Sequence, residues 1–465
     1  MRILTPPARA VHGTRDDSRR QGSEWLGLVV LVLTTVWVIL QNNGRVSGSP
    51  DVPPADFIII TVPRITRVLE ACILAVGALC FWRRYHLATH GPLLFAIVGL
   101  IALGAVGMIR APGHAVSQFQ GIYVYVAPFL VFLWCVVSKP HAGLVKAGYW
   151  VLGGYLALCV LYFAGVQLPL NRDRGDWHRG LFGDAHLFGT WLAVVSCVSF
   201  STFLRCGRPG WLLAAVAALG LSLFPANEKM LLFNFAWIGV ATIRRLPRAR
   251  AGVQAVTLVV LALGSVVLVR GLSAAGDRLL RFDFMADRSL SEIGPVAAWP
   301  AVWGAYVQDP PALLLGVGPA NFGGVAAGRA LATDRRGATQ ATVRMESMLV
   351  TAGVEGAFLL AANTWSNLAA EFGAIGFLLF ALGLATITWP ILAAPPREAF
   401  GGKVRTFVVC TLLAIVFQGF VTPHTNWAEP ALTYPMMLSA AFLWCRAEAL
   451  SLAREAGPVR PAAGP

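Results

Sequence analysis

The chain has 465 residues, of which 57% are apolar and only 13% charged. A soluble domain usually runs about 45–50% apolar and about 25% charged, so with a mean hydropathy of +0.66 an ordinary soluble enzyme is excluded and one polytopic membrane unit is predicted. Lys and Arg total 37 against 23 Asp and Glu, a net charge of +14, which suits a nucleic-acid surface only if the charges gather on one.

A polar, basic tail over 1–24 is predicted to be disordered, and so is the Pro/Gly-rich tail over 450–465. The first apolar run follows a charged tail and lacks a short h-region with a small-residue cleavage site, so it reads as an anchor and not a removed signal. Between the tails, 25–449 reads as a single transmembrane domain. A hydrocarbon core about 30 Å thick needs about 20 mostly apolar residues per helix. Twelve runs qualify as spans of an all-α polytopic membrane protein: 25–41, 57–82, 91–109, 121–138, 148–170, 186–204, 211–225, 230–243, 252–269, 370–390, 406–421 and 431–447. Spans seven and eight are short and flank Pro225-Ala226-Asn227-Glu228-Lys229, which fits a tight hairpin or a broken helix.

Basic residues near span ends set orientation. With both termini in the cytoplasm, the short inner segments carry 21 of the 37 basic residues, among them Arg83, Arg84, Lys139, Lys146, Arg205, Arg208, Arg244, Arg245, Lys403, Arg405 and Arg446. The outer ends of the short segments carry 8, and the other 8 lie in one long outer loop over roughly 270–369. The inner charges are therefore topology determinants, and no nucleic-acid partner is expected. The eight cysteines, at 72, 80, 135, 159, 197, 206, 410 and 445, fall in spans or at their inner ends. No disulfide framework is expected, and no Cys/His group has zinc spacing.

Charge is costly near a membrane, so polar residues kept at span ends are informative. Three stretches stand out, all on the predicted outer side. The loop after span five, 171–185, continues into His186: Arg172, Arg174, Arg179, Asp173, Asp176, Asp184, His178 and His186 lie within fifteen residues. Arginine forks suit phosphate oxygens, and Gly183 lets backbone approach a ligand closely. A solvated loop with internally paired charges fits the same residues. A metal site on Asp184 and His186 has no third ligand at a telling spacing, so none is expected. Lys229, beside Glu228, is either a snorkelling surface pair or part of a polar cleft.

The long loop brings Asp287-Arg288, then an amphipathic stretch with Trp299, Trp303 and Tyr306 that predicts an interfacial helix. Gly316-Val317-Gly318 follows. No Lys-Ser/Thr follows it in turn, so a plain turn is the reading and not a phosphate loop. Last come Asn363, Asn367 and Glu371, four residues apart and so on one helix face. Glu371 is a candidate base or hydrogen-bond acceptor. A capped helix with a solvated first turn is the structural alternative.

Three patches together resemble the O-antigen ligase and O-antigen polymerase superfamily of bacterial envelope enzymes. They are Arg-Gly-Leu-Phe-Gly-Asp-Ala-His-Leu-Phe-Gly at 179–189, Leu-Leu-Gly-Val-Gly-Pro-Ala-Asn-Phe at 314–322 and Asn-Thr-Trp-Ser-Asn-Leu-Ala-Ala-Glu-Phe-Gly-Ala-Ile-Gly at 363–376. The likeness covers roughly 170–450. It implies inverting, metal-independent and cofactor-free glycosyl transfer at the periplasmic face of the bacterial inner membrane. The donor it implies is a glycan on undecaprenyl diphosphate. The acceptor is lipid A-core for a ligase, or another lipid-linked repeat for a polymerase of O-antigen or exopolysaccharide. Membrane lipids and a chain-length regulator are the other partners considered.

By the same resemblance, Arg172 or Arg179 and, further along, Arg288 match the arginines that hold the donor diphosphate, and Lys229 is an added candidate cation from the residues themselves. Gly183, Asp184, Gly316, Gly318 and Asn367 shape the loops and the acceptor side. One departure stands out. Ala362 occupies the position of the ligase histidine that serves as general base, while Asn363 keeps its place. This favours a polymerase-like member over a conventional ligase, with Glu371, His186 or His178 left as proton acceptors. An inactivated envelope scaffold and a twelve-span secondary transporter are the competing classes. The second predicts repeated halves and polar groups at the midplane, and neither is visible here.

Overall fold

The structure is a computed structural model. It describes residues 87–112, 115–167, 185–222, 228–245, 251–255, 298–322, 364–393, 399–421 and 430–455, with single positions 29, 257, 259 and 427. Span one but for residue 29, span two, most of span nine, the N-terminal tail and the C-terminal tail beyond Glu455 lie outside the described residues; the first part of the predicted C-terminal tail, 450–455, is helical as the end of Pro430–Glu455.

The regular elements among the described residues are all helices, with no strand among them. In chain order they form α1 (Leu87–Arg110), α2 (Ala115–Ser138), α3 (Ala142–Tyr162), α4 (Ala185–Cys206), α5 (Pro209–Leu221), α6 (Glu228–Arg245), α7 (Ala298–Gln308), α8 (Ala312–Leu315), α9 (Thr364–Ala393), α10 (Ala399–Val421) and α11 (Pro430–Glu455). Six of these helices, α1 to α4, α9 and α10, are long and apolar enough to cross a membrane. Helix α5 spans 13 residues, about 20 Å at 1.5 Å per residue, so spans seven and eight stay short as predicted. Span five ends in a π-helical turn, Phe163–Gln167. A short helical stretch, 364–372, precedes span ten and joins it at a break at Gly373, so α9 begins at Thr364.

The core is built from α2, α4, α9, α10 and α11, which bury aromatic side chains against one another. Phe129 on α2 meets Phe380 of α9 and Trp427, with ring centroids 5.3 and 5.1 Å apart. Trp427 donates its indole proton to the Tyr125 carbonyl at 3.1 Å. Helix α1 shows how a single sequence serves two environments. Leu93, Ala96, Ile97, Leu100 and Gly104 face inward, while Phe95, Val98, Ile101, Val106 and Ile109 face out. That is a 3.6-residue stripe whose outer face is as apolar as its inner one, the pattern expected where the solvent is lipid. Ile109 is 82% exposed, as are Trp150 on α3 (82%) and Ile243 on α6 (77%). Water would disfavour such a surface. The chain is thus a multi-pass helical membrane protein.

Small residues let the helices approach closely. A Cβ on Gly99 would meet Leu379 of α9, and one on Gly104 would meet Ile122 of α2. The bundle has two unlike ends. Nine of the ten basic side chains described, Lys139, Lys146, Arg205, Arg208, Arg244, Arg245, Lys403, Arg405 and Arg446, stand at one end. Contacts tie that end together: Arg205 donates to Thr406 at 2.7 Å, Lys146 lies over Phe400, and Arg405 donates to the Ile391 and Leu392 carbonyls. The tenth, Arg110, stands at the opposite end beside Asp309.

Candidate functional site

The less basic end is organised by a break in α9. Gly373 has φ 65° and ψ −170° inside an otherwise helical run, a conformation essentially reserved for glycine. In an unbroken helix the carbonyls of Ala370 and Glu371 would be taken by the amides of Ala374 and Ile375. Here they accept instead from Val317 N at 2.8 Å and Gly318 N at 3.1 Å. The Tyr306 hydroxyl donates to the next carbonyl back, Ala369 O, at 2.8 Å. Three successive carbonyls of one helical turn are thus held by a single stretch of the long loop.

The loop can come so close because both strands of the contact are glycine. A Cβ on Gly316 would strike the Glu371 carbonyl, and one on Gly373 would strike Leu314 and the Gly316 amide. Gly316 and Gly318 both have positive φ, 74° and 97°. The turn read from Gly316-Val317-Gly318 is present, and its amides at 317 and 318 are spent on helix carbonyls, not left to cradle an anion.

The far side of the loop rests on α1 and α2. Gly107 meets Gly318 and Pro319, and Gly121 meets Pro319 and Ala320. Asn321 Nδ2 donates to Ala111 O at 3.1 Å and to Val317 O at 3.2 Å, while Gln118 donates to the same Ala111 carbonyl at 2.7 Å. Arg110 donates to Gly316 O at 3.2 Å and pairs with Asp309 at 3.0 Å. That pair is about a quarter exposed on each side, so it contributes under about 1 kcal/mol. Its clearer role is to close the C-terminus of α1 onto the loop.

Below this clamp, α9 presents a buried polar face. Thr364, Ser366, Asn367 and Glu371 are all nearly inaccessible, Glu371 at 3% and Asn367 at 2%. Asn367 and Glu371 are one turn apart and share a face, as their spacing predicts. Tyr125 of α2 lies within electrostatic reach of Glu371, and its ring meets Phe372 edge-on, with centroids 5.4 Å apart. Gln418 of α10 donates to Thr190 of α4, and the Trp365 indole donates to Val416 O at 2.9 Å. A carboxyl buried in this way can accept a proton or a hydrogen bond in surroundings that strengthen either interaction.

The structure therefore brings together Gly316, Gly318, Asn367 and Glu371. His186 and Lys229 sit in the first turns of α4 and α6. Arg172, Arg179, Gly183, Asp184, Arg288 and Asn363 lie outside the described residues. No metal-binding group of His, Cys, Asp or Glu occurs among the described residues. Sequence reasoning missed the roles of Tyr306, Arg110, Gln118 and Asn321. The available signal was the Gly373/Gly376 pair inside a strong helical run, where each interior glycine costs about 1 kcal/mol and so asks for a structural reason.

Burial pushes the Tyr306 phenol up to about 12, so it keeps its proton through neutral pH and remains a donor. Tyr306→Phe should cost about 1 kcal/mol of stability, the usual net worth of one hydrogen bond, read as a lower denaturation midpoint in detergent. An unchanged midpoint would show that the bond to Ala369 O carries nothing. No protein-family model matches the chain, and no curated protein sequence matches it.

Proposed function

We propose that the chain is a membrane glycosyltransferase that polymerises or transfers glycan units carried on undecaprenyl diphosphate, working at the periplasmic face of a bacterial inner membrane. What supports this most is that the second and third patches of the family likeness, 314–322 and 363–376, are bonded to each other across the Gly373 break, although about fifty residues separate them. They meet at the less basic end of the bundle. By the positive-inside rule the basic end faces the cytoplasm, which turns the clamp and Glu371 outward.

A diphosphate is a good leaving group once its charge is neutralised, and arginines do that without a metal. Arg172, Arg179 and Arg288 are the proposed donor ligands, with Lys229 as an added cation. One base must then take the acceptor proton as its oxygen attacks the anomeric carbon and the diphosphate leaves. Glu371 is assigned that role, because Ala362 stands where a conventional ligase has histidine. The same substitution favours polymerisation over ligation to lipid A-core.

The test is transfer from a lipid-diphosphate donor by the purified protein, with Arg179→Gln and Arg288→Gln made singly. Each variant should lower transfer at least ten-fold, since a charge-assisted contact is worth about 1.5–3 kcal/mol. Undiminished transfer removes the arginine from the site, and no transfer by the parent protein favours a scaffold.

A further inference from the structure

The basic end of the bundle holds a second constellation that glycosyl transfer at the opposite end does not use. Arg205 at the end of α4 reaches across to Thr406 and Gly402 at the start of α10. Arg405, one residue before Thr406, caps α9 by donating Nε to Ile391 O at 3.0 Å and Nη2 to Leu392 O at 3.1 Å. Arg244, from the last turn of α6, stands within electrostatic reach of Arg405. Lys403 lies 5.1 Å over the Trp211 ring at the start of α5. Three helices, α4, α6 and α10, thus deliver four cations to one corner. The charges of Arg244 and Arg405 repel, and no salt bridge among the described residues joins either of them to an acid.

The repulsion between Arg244 and Arg405 costs free energy that an anion between them would relieve. Directly along the same helices, the surface changes character. Val240 and Ile243 on α6 are 54% and 77% exposed, and Trp389 and Leu392 on α9 are 72% and 49% exposed. The Arg405 bonds to residues 391 and 392 place the end of this apolar α9 surface at the guanidinium. Cations above and exposed apolar side chains below match a molecule with a phosphate head and acyl chains. A soluble anion matches only the upper half.

We propose that the corner formed by Arg205, Arg244, Lys403 and Arg405 is a binding site for one anionic phospholipid. The phosphate sits between the arginines of α6 and α10, and the acyl chains run along Val240, Ile243, Trp389 and Leu392. This site is independent of the glycosyl-transfer reading and lies at the other end of the bundle.

The test uses the full-length protein released from membranes in mild detergent and exchanged against phosphatidylglycerol or phosphatidylcholine, with bound lipid counted by native mass spectrometry. Parent protein should retain phosphatidylglycerol over phosphatidylcholine, and the preference should weaken with added salt. Arg244→Gln should weaken retention roughly five-fold, the effect of removing one basic residue at an anionic surface. Arg244 caps no helix among the described residues, so this variant should fold as the parent does. Lys139→Gln, at the same end of the bundle but outside the corner, should retain lipid as the parent does. Equal retention of the two lipids by the parent overturns the proposal. So does equal loss in the Arg244 and Lys139 variants, which would reduce the corner to general surface charge. Displacement of the lipid by millimolar inorganic phosphate would identify a soluble anion as the ligand and overturn it as well.

Discussion

Gly373→Ala should be among the most damaging single methyl groups that can be added to the described part of this protein. The native backbone at 373 has φ 65° and ψ −170°, a region that costs a residue with a Cβ about 1–3 kcal/mol. The new Cβ would also lie 2.5 Å from the Leu314 carbonyl and 2.6 Å from the Gly316 amide nitrogen. Neither is the free end of a flexible side chain, so neither can give way cheaply. The chain must either straighten α9 or push the loop off it. Either response removes the Val317 and Gly318 bonds to the Ala370 and Glu371 carbonyls, at about 1 kcal/mol each. The expected sum is about 3–5 kcal/mol, read as a large drop in the denaturation midpoint in detergent. Gly154→Ala on α3 is the matched control. Nothing lies within 4 Å of its added Cβ, and alanine is the better helix former by about 1 kcal/mol, so its midpoint should hold or rise. A Gly373→Ala protein as stable as the parent would mean that the break does not hold the loop.

Glu371→Gln separates chemistry from packing. The two side chains have nearly the same volume, and the position is 3% exposed, so a purely structural role predicts a small change in both stability and rate. A general base predicts a rate fall of about 10²–10⁴ with the midpoint little changed, because glutamine cannot take the acceptor proton. The assay is transfer from a lipid-diphosphate donor at saturating concentration. A variant that transfers at the parent rate removes Glu371 from the base role. His186 and His178 then become the next residues to change, since both lie in or beside the first patch. Together the two variants divide the site into a clamp that holds the helix turn and a carboxyl that the turn positions.

Much of this architecture was written locally. The apolar runs at 91–109, 121–138, 186–204, 406–421 and 431–447 each lie within a helix, and so does 148–170 as far as it is described, to Gln167, because a helix is what lets backbone polar groups satisfy themselves away from water. The shortness of spans seven and eight was legible for the same reason. So was the shared face of Asn367 and Glu371, since a four-residue spacing needs only the helical repeat. The interfacial stretch was legible as a helix: α7 covers Ala298–Gln308 and exposes Trp303.

What the sequence could not show is which distant pieces touch. From its apolar run span ten starts at 370, because the six residues from Thr364 to Ala369 include polar ones. Tertiary packing buries those polar groups in a helical stretch that ends at the Gly373 break. Gly316 and Gly373 looked like two unrelated turn residues. Each proves to be the space left for the other's backbone, a complementarity that no local pattern carries. In the sequence Tyr306 is one aromatic of an amphipathic stripe; only the fold sets its hydroxyl on the Ala369 carbonyl. The sequence alone determined a membrane protein of many helices and sorted its charge by span end. Only the tertiary structure decided that a loop and a broken helix form one unit. Hydrophobic periodicity is a property of neighbours along the chain, whereas the partners of carbonyls freed by a helix break come from wherever the fold brings an amide.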